Sequence, residues 1–494
     1  MKKIFSIIVL TIVMSGCSDS FLIRQPEDTL APGVFFNTPD DIKTGVIAVY
    51  QGLQYNFAVN SLPNILGQMS DDGTYYDGSW DVINTFYKNS SNSAYGNWNA
   101  LYKMIVNANN IIDIADKYKP SGNNEAVVVK AYRGEACFLR ALAYFYLVRL
   151  WGDVPKVVER LNDPGSVLGI GRTPVNDIYM KVIIPDLEYA FANCYKKGDA
   201  ALANEGARAT KGAALTILGK VYLTLNNHAK AAETLKKLIV DKEAGTYSLL
   251  SDFSKIWLPS NKFNSESVFE VNYNRAAGSP SFYFRNMTMN TAWFSNNSMG
   301  LNMKTPNGQF TGEKNLMDEF VAYKEWTRYK VTVDSGFTYG RDIVPFPLKL
   351  MPPIKEVNQY DNIGTDYNYM ITRYADALLM YAEALMVLGQ KDVAATYINQ
   401  VRARVNMAPI TAADLNIEWI LHERRMELAF EGHRYFDLVR TGKAIEYISR
   451  VLIGKNRYQP VELRKDPIEA YQLLLPIPIG EIEKDQSLTQ NPGY

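Results

Sequence analysis

Apolar residues recur at helical spacing along most of this chain. They do so over Asp40–Leu53, and over Trp98–Tyr118 the residues Leu101, Ile105, Ala108, Ile112 and Ala115 trace one face. Glu125–Trp151 is a longer amphipathic run, and Gly152, Asp153 and Pro155 are placed to stop it. Val175–Asn193 repeats the pattern with Pro185 inside it. Proline has no N–H and its ring crowds the preceding turn, so a kink or break is expected there.

Two later segments share a plan. Gly212–Val240, "GAALTILGKVYLTLNNHAKAAETLKKLIV", and Ala375–Val401, "ADALLMYAEALMVLGQKDVAATYINQV", each give a helix, a short polar turn and a second helix with Ala-Ala near its start. At a constant offset, Ala231, Ala232, Leu235 and Leu238 fall on Ala394, Ala395, Ile398 and Val401. Paired helices with small residues at the crossing resemble tetratricopeptide repeats. Such pairs cannot bury their faces alone and must stack on other helices. Tyr247–Tyr369 is different: rich in Asn, Ser, Gly and Pro, with scattered aromatics and no sustained period in "SPSFYFRNMTMNTAWFSNNSMG" or "IVPFPLKLMPP". It reads as irregular structure with short strands, and so long a loop region in an ordered protein is usually functional. The expected fold is therefore mostly α. Tetratricopeptide-like helix pairs, in a body including about 205–240 and 370–445, support an irregular, loop-rich insert at about 247–369.

The N-terminus, "MKKIFSIIVLTIVMSGC", places two lysines before an apolar run from Ile4 to Met14 and then Ser15-Gly16-Cys17. The run suits a signal peptide and is too short to span a bilayer. Small residues before a cysteine resemble a bacterial lipobox, with Met14 where leucine is usual. On this reading 1–16 is a signal peptide, Cys17 carries the lipid, and 17–494 is one lipid-anchored domain.

Composition narrows the partners. Lys+Arg and Asp+Glu both number 52, so no basic excess exists to neutralise phosphates and nucleic acid is not expected. Cys137 falls inside a helical apolar pattern and reads as a small buried hydrophobe, so with Cys194 it does not suggest a disulfide framework. "HERRM" at His422–Met426 starts like a zinc-protease motif, but Met426 replaces the second ligand. His228, His422 and His433 show no ligand spacing, and no nucleophile elbow, phosphate-binding loop or dinucleotide fingerprint occurs. No metal, cofactor or catalytic residue is expected, and weight shifts from catalysis to binding.

"ERRMELAFEGHRYFDLVRTGKA" (Glu423–Ala444) resembles a signature of the SusD/RagB family of Bacteroidetes outer-membrane lipoproteins. "YGNWNALYKMIVNANNIID", "EACFLRALAYFYLVRLWGDVP", "ARATKGAALTILGKVYL", "RYADALLMYAEAL" and the tail "LLLPIPIGEIEKDQSLTQNPGY" resemble other family segments in order. The resemblance implies a helical body of four tetratricopeptide-like pairs on the cell surface. It also implies a lid role on a SusC-like TonB-dependent transporter, to which the protein hands oligosaccharides or, in some members, peptides. It implies no catalysis. The charges of the signature read as an ion-pair network orienting the last helices. At i,i+3 spacing Arg424 meets Glu427 and Glu431 meets Arg434. Arginines so placed keep carboxylates ionised, which suits neither a general acid nor a base of raised pKa.

Sugars present flat C–H faces edged with hydroxyls, so a glycan site needs partly exposed rings among polar side chains. "DDGTYYDGSWDVINTFY" (Asp71–Tyr87) and "SFYFRNMTMNTAWFSNN" (Ser281–Asn297) offer that, and the family's site is formed from such regions. Tyr75, Tyr76 and Trp80 are expected to stack on sugar, Asp71 and Asp72 to accept hydroxyls, and Tyr283 and Trp293 to form the opposite wall. Gly73 and Gly78 would let the loop turn its rings outward. Trp98, which opens a helix face, belongs to the core. The alternatives are a peptide-binding member of the family, a surface glycosidase using Asp71, Asp72, Asp77 or Asp81, and a scaffold whose repeats bind another protein.

Overall fold

The computed structural model describes residues 36–59, 62–74, 86, 95–161, 163–283, 310–334, 338–339, 342–343, 346–351, 363–453 and 464–494. Helix α1 (Pro39–Gln54) starts at a capping box. Asp41 N–H donates to Thr38 Oγ1 (3.2 Å) and Thr38 N–H donates to the Asp41 carboxylate (2.8 Å). Its buried face is Ile42, Val46, Val49 and Leu53. Leu62–Gln68 is a short helix, α2, and Tyr95–Lys117 is α3. Gly45 and Gly52 let α3 lie close on α1: a Cβ at either would stand 2.3 Å from Ile111 or 2.2 Å from Met104. Helix α4 (Asn123–Trp151) is buried on all sides over much of its length and packs against α1 and α3. Cys137 is buried in it, and Cys137 and Cys194 are both free thiols.

Pro185 has the effect expected of it, by a specific route. Val175–Ile178 is α-helical, Tyr179–Ile183 widens to a π-helix, and α5 (Ile184–Asn193) begins with Pro185 in its first turn. Ile184 N–H donates to Tyr179 O, a five-residue step. The wider turn leaves room for the ring, and a first-turn position asks no N–H of proline.

The two matched segments are helical hairpins: α6 (Lys211–Thr224) with α7 (His228–Ile239), and α10 (Tyr374–Val387) with α11 (Lys391–Arg404). A Cβ on Gly219 would lie 2.7 Å from Leu235, so glycine sets how closely α6 and α7 cross. Helix α5 packs on α6, and α7 packs on α10, so the hairpins stack in one series although the insert separates them in sequence.

The insert is closed at its root by β2 (Ser267–Val271) pairing antiparallel with β8 (Tyr369–Arg373), both fully buried. Short strands are present inside it as expected: β3 (Thr311–Gly312), β4 (Val333–Asp334) with β7 (Phe346–Pro347), and β5 (Thr338–Tyr339) with β6 (Asp342–Ile343). Two helices were not foreseen, α8 (Lys314–Ala322) and α9 (Trp326–Thr332). Helix α8 buries only Leu316, Met317 and Phe320, too few to set a visible period. The chain then forms α12 (Ile417–Leu428), α13 (Arg434–Arg440) and α14 (Ala444–Leu452).

The signature is an ion-pair network, but Arg424 and Glu431 do not pair with the i,i+3 neighbours expected of them, although Asp437 and Arg440 do pair at that spacing. Helix α12 is buried from Ile420 to Leu428, so its charges reach other elements. Glu427 accepts from Arg328 (2.9 Å), Arg373 (2.6 Å) and Arg404. Arg328 also meets Glu325 (3.0 Å) and Glu423 (2.5 Å), and Arg402 meets Glu423 (2.6 Å). Arg373 also meets Glu431 (2.8 Å) and Glu266 (2.6 Å), and Lys349 meets Glu431 (2.9 Å). Arg424 meets Asp376 and Asp437, both at 2.8 Å. A fully buried charge must have every hydrogen-bonding position met. Partners from several elements meet most of them, where one neighbour along the helix would not, and Arg404 Nε and Arg424 Nη1 are left without a partner among the described residues.

Burial alone would raise the carboxyl groups of Asp437 and Glu427, yet there the guanidinium partners win, while at Glu325 burial prevails and its carboxyl is raised. Arg424 and Arg440 hold Asp437 at about 2, and Arg404, Arg373 and Arg328 hold Glu427 well below the ordinary range. A carboxyl depressed only in the folded state adds stability that is complete above its unfolded value, near 4, and is lost as pH falls through its folded value. Asp437 alone accounts for about 2 kcal/mol of this. Urea unfolding should therefore show stability falling steeply between about pH 4 and pH 2, and stability unchanged across that window would contradict the network's ionisation.

Candidate functional site

The stretch that opens at Asp71 leaves the body just after α2. Ser70 Oγ donates to Gly67 O (2.7 Å) and accepts from Asp72 N–H (3.1 Å), which turns the chain. Gly73–Thr74 then forms strand β1, antiparallel to β3, with Gly73 opposite Gly312 and Thr74 opposite Thr311. This two-residue ladder has a consequence for both aromatic-rich stretches. Tyr75 follows Thr74 directly, and the segment containing Trp293 returns to the body at Phe310 and Thr311. Thr74, just before Tyr75, and Thr311, just after the described chain resumes beyond the segment that contains Trp293, are thus strand partners.

Arg425, on α12, fixes this junction from beneath. Its guanidinium donates to Asp72 Oδ1 (2.7 Å) and Asp71 O (2.5 Å) on one side, and to Glu319 Oε2 (2.5 Å) and Asn315 Oδ1 (3.0 Å) of α8 on the other. Arg434, on α13, grips Asp71 through two parallel bonds of 2.7 and 2.9 Å. Glu313 N–H donates to Asp72 O (2.8 Å), closing the junction. The Phe310 ring lies on Gly67 and Gly73, where added Cβ atoms would stand 2.4 and 2.1 Å from it. Phe310 meets Phe430 edge to face at 5.7 Å.

This geometry corrects three sequence expectations. Asp71 and Asp72 are 1% and 2% exposed, and their carboxylates point into the body at Arg425 and Arg434. They anchor the loop and do not reach sugar hydroxyls. Burial opposes the charge on Asp71, but Arg425 and Arg434 outweigh it and hold the group well below the usual carboxylate range. Buried and ion-paired with Arg425 and Arg434, Asp71 and Asp72 are placed as anchors and away from any surface where a leaving group could be protonated. Tyr283 is 4% exposed and packs edge-on to Tyr369 at 5.6 Å, which in turn lies 4.8 Å from Phe57. It is core beneath the insert and not a ligand wall. Gly73 is needed for the close approach of Phe310, with a backbone in a strand, and not for flexibility.

Trp98 is buried against Trp151 at 5.4 Å, as its helix-face position implies. Tyr75, Tyr76, Gly78, Trp80, Trp293 and Cys17 lie outside the described residues. Arg425, Arg434 and Phe310 were not expected at this site. Their partners lie 353 positions away for Arg425–Asp72 and 363 for Arg434–Asp71, and no local pattern carries that information.

Replacing Arg425 with methionine keeps bulk but leaves Asp72 and Glu319 short of a partner in a dry site. Breaking a buried pair from one side costs about 3–5 kcal/mol. Urea unfolding of Arg425→Met at pH 7 should show a loss of that order; a loss under about 1 kcal/mol would mean that the junction does not depend on it.

Comparison with known proteins agrees with this architecture. Residues 267–494 match the model of the SusD family, and residues 20–223 match a model described as starch-binding and associating with the outer membrane. A SusD-like protein of Formosa agariphila is 27% identical over 542 residues, covering 100% of both chains. The starch-binding protein SusD of Bacteroides thetaiotaomicron is 25% identical over 429 residues, covering 73% of this chain and 72% of that one. A solved laminarin-binding SusD-like protein shares 26% identity and a TM-score of 0.76, over 93% of this chain and 100% of its own. The two family models account for both ends of the helical body and for the signature, and the mostly α architecture is that of the solved relative: the chain belongs to the SusD/RagB family.

Proposed function

We propose that this protein is a cell-surface lipoprotein that captures an oligosaccharide and delivers it to a SusC-like TonB-dependent transporter, without catalysing a reaction on it. The observation that carries this reading is the β1–β3 ladder. It pairs Thr74, which precedes Tyr75, with Thr311, which follows the segment containing Trp293, and this supports a reading in which rings from both segments meet one ligand. Tyr75, Tyr76 and Trp80 form one stacking surface and Trp293 contributes the other. Asp71, Asp72 and Tyr283 serve from below as anchors and floor.

The relatives support a sugar as the ligand, since two of them are named for binding starch and laminarin. The second family model's description supports attachment to the outer membrane. Cys17 would carry the lipid; among the described residues no helix is long and apolar enough to cross a membrane. Two open concavities, about 560 Å³ beside α1 and about 630 Å³ near Lys130 and Lys211, each have a single partly exposed ring in their linings, Tyr50 and Tyr195, where the aromatic stretches offer several. That favours the aromatic stretches over either of them as the glycan surface.

Calorimetry against a panel of β-glucan, α-glucan and other oligosaccharides, with peptides as a second arm, tests the reading. At least one glycan should bind. Trp80→Ala and Trp293→Ala should each cost about 2 kcal/mol, roughly a 30-fold weaker Kd, while thermal stability is retained. The bound oligosaccharide should be recovered intact after long incubation. Peptide binding with no glycan binding would replace the sugar by a peptide, and released sugar would overturn the non-catalytic reading.

A further inference from the structure

Two large exposed rings belong to neither aromatic stretch. Tyr323 and Trp326, at the turn between α8 and α9, are 47% and 48% exposed. Tryptophan is on average highly buried, so a ring held in water is informative. The turn is fixed from inside. Lys324 takes a left-handed backbone (φ 59°), and Trp326 N–H donates to Lys324 O (2.8 Å). Glu325, between the two rings, is buried, and its carboxylate accepts from Arg328 (3.0 Å), which also donates to Glu427 (2.9 Å) and Glu423 of α12. The ion-pair network of the body thus holds the turn that carries the rings.

Each ring is also backed by others. Trp326 meets Tyr329 edge to face at 6.2 Å. Tyr323 lies on His422 (4.0 Å) and meets the partly exposed Trp419 edge to face (6.1 Å), and Arg402 lies over the Trp419 ring (5.5 Å). Large rings already held in place lose little freedom when a ligand covers them. Glu319 ties this support to the root of the Tyr75 stretch. It lies 2.6 Å from His422 Nδ1 and accepts from Arg425 (2.5 Å), and Arg425 grips Asp72, shortly before Tyr75.

The surface is too small for a protein partner. Stable interfaces bury about 800 Å² on each side. Full burial of tyrosine or tryptophan covers about 150–250 Å², so two half-exposed rings offer roughly 200 Å². Lys324 and Thr327, both exposed, interrupt the apolar surface. Ring faces set among polar side chains suit the C–H faces and hydroxyls of a sugar.

We infer that Tyr323 and Trp326, with Trp419 at their edge, form an accessory platform that gives a polysaccharide chain a second point of contact. The inference rests on the glycan-binding reading above. A short oligosaccharide fills the first surface only, and a long chain engages both. With an effective concentration of about 1 mM and a platform Kd of about 0.1 mM, the second contact tightens a long chain about 10-fold.

Calorimetry on the full chain tests it, with laminarin and soluble starch as long ligands and laminaritriose and maltotriose as short ones. The double variant Tyr323→Ala/Trp326→Ala should bind the polysaccharide about 10-fold more weakly than wild type, with the trisaccharide Kd unchanged. Trp326→Tyr, which keeps a ring, should retain most of the gain. If the double variant does not fold, Trp326→Ala against Trp326→Tyr decides in the same way. Equal polysaccharide binding by wild type and double variant overturns the platform and leaves the glycan reading standing. A matching loss on the trisaccharide overturns it too, because the rings would then belong to the first surface. So does a wild-type dimer that the double variant makes monomeric in size-exclusion chromatography, which would assign the rings to a second copy. A wild type that binds neither polysaccharide fails the glycan reading first, and the platform falls with it.

Discussion

The guanidinium of Arg425 is the point on which the site's geometry turns. It is planar, permanently charged and fork-shaped, so it can bind two groups on different segments in fixed directions. Here it joins Asp71–Asp72, below the first aromatic stretch, to Asn315 and Glu319, below the return of the second. Arg434 fixes the same loop through Asp71. A buried ion pair adds little stability over well-packed apolar side chains, but it accepts only one register and one orientation. That is what a binding surface on loops needs: bases held rigidly while the tips remain free to differ in sequence.

The same logic runs through the body. Helix α12 is buried all round and carries charges of both signs, so each of its sides is committed to a different neighbour. Glu423 and Glu427 take Arg328, Arg402, Arg373 and Arg404 from α9, α11 and β8; Arg424 takes acids of α10 and α13; Arg425 takes the loop. The stacked hairpins supply the rigid frame, the charged helix indexes the insert against it, and the β1–β3 ladder sets the roots of the proposed glycan surface.

How much of this was legible in the sequence follows from range. Helices α1, α3 and α4 declare themselves because their apolar faces repeat every few residues, and Gly219 with Ala231 marks a close helix crossing in a local pattern. Pro185 announces a disruption because its chemistry acts within one turn. The family signature was legible as a charge network, yet its partners were not: i,i+3 spacing offered Arg424–Glu427 and Glu431–Arg434, while burial selected distant partners able to meet every lone pair. Asp71 and Asp72 looked like ligand acceptors because adjacent acids in a loop are usually solvated. What reverses that reading is two arginines more than 350 positions away. Tyr283 shares its composition of neighbours with the ligand-facing candidates, and only its packing on Tyr369 assigns it to the floor. Helices α8 and α9 are too short for periodicity to reveal.

The central claim is that the Arg434–Asp71 pair is one anchor of the proposed glycan surface. A double-mutant cycle on glycan affinity, using Asp71→Asn, Arg434→Gln and the double variant, measures this directly. The account predicts that the double variant binds no more weakly than the weaker single variant, because each change removes the same anchor. Losses that add in full would show that the two residues act independently and would contradict it.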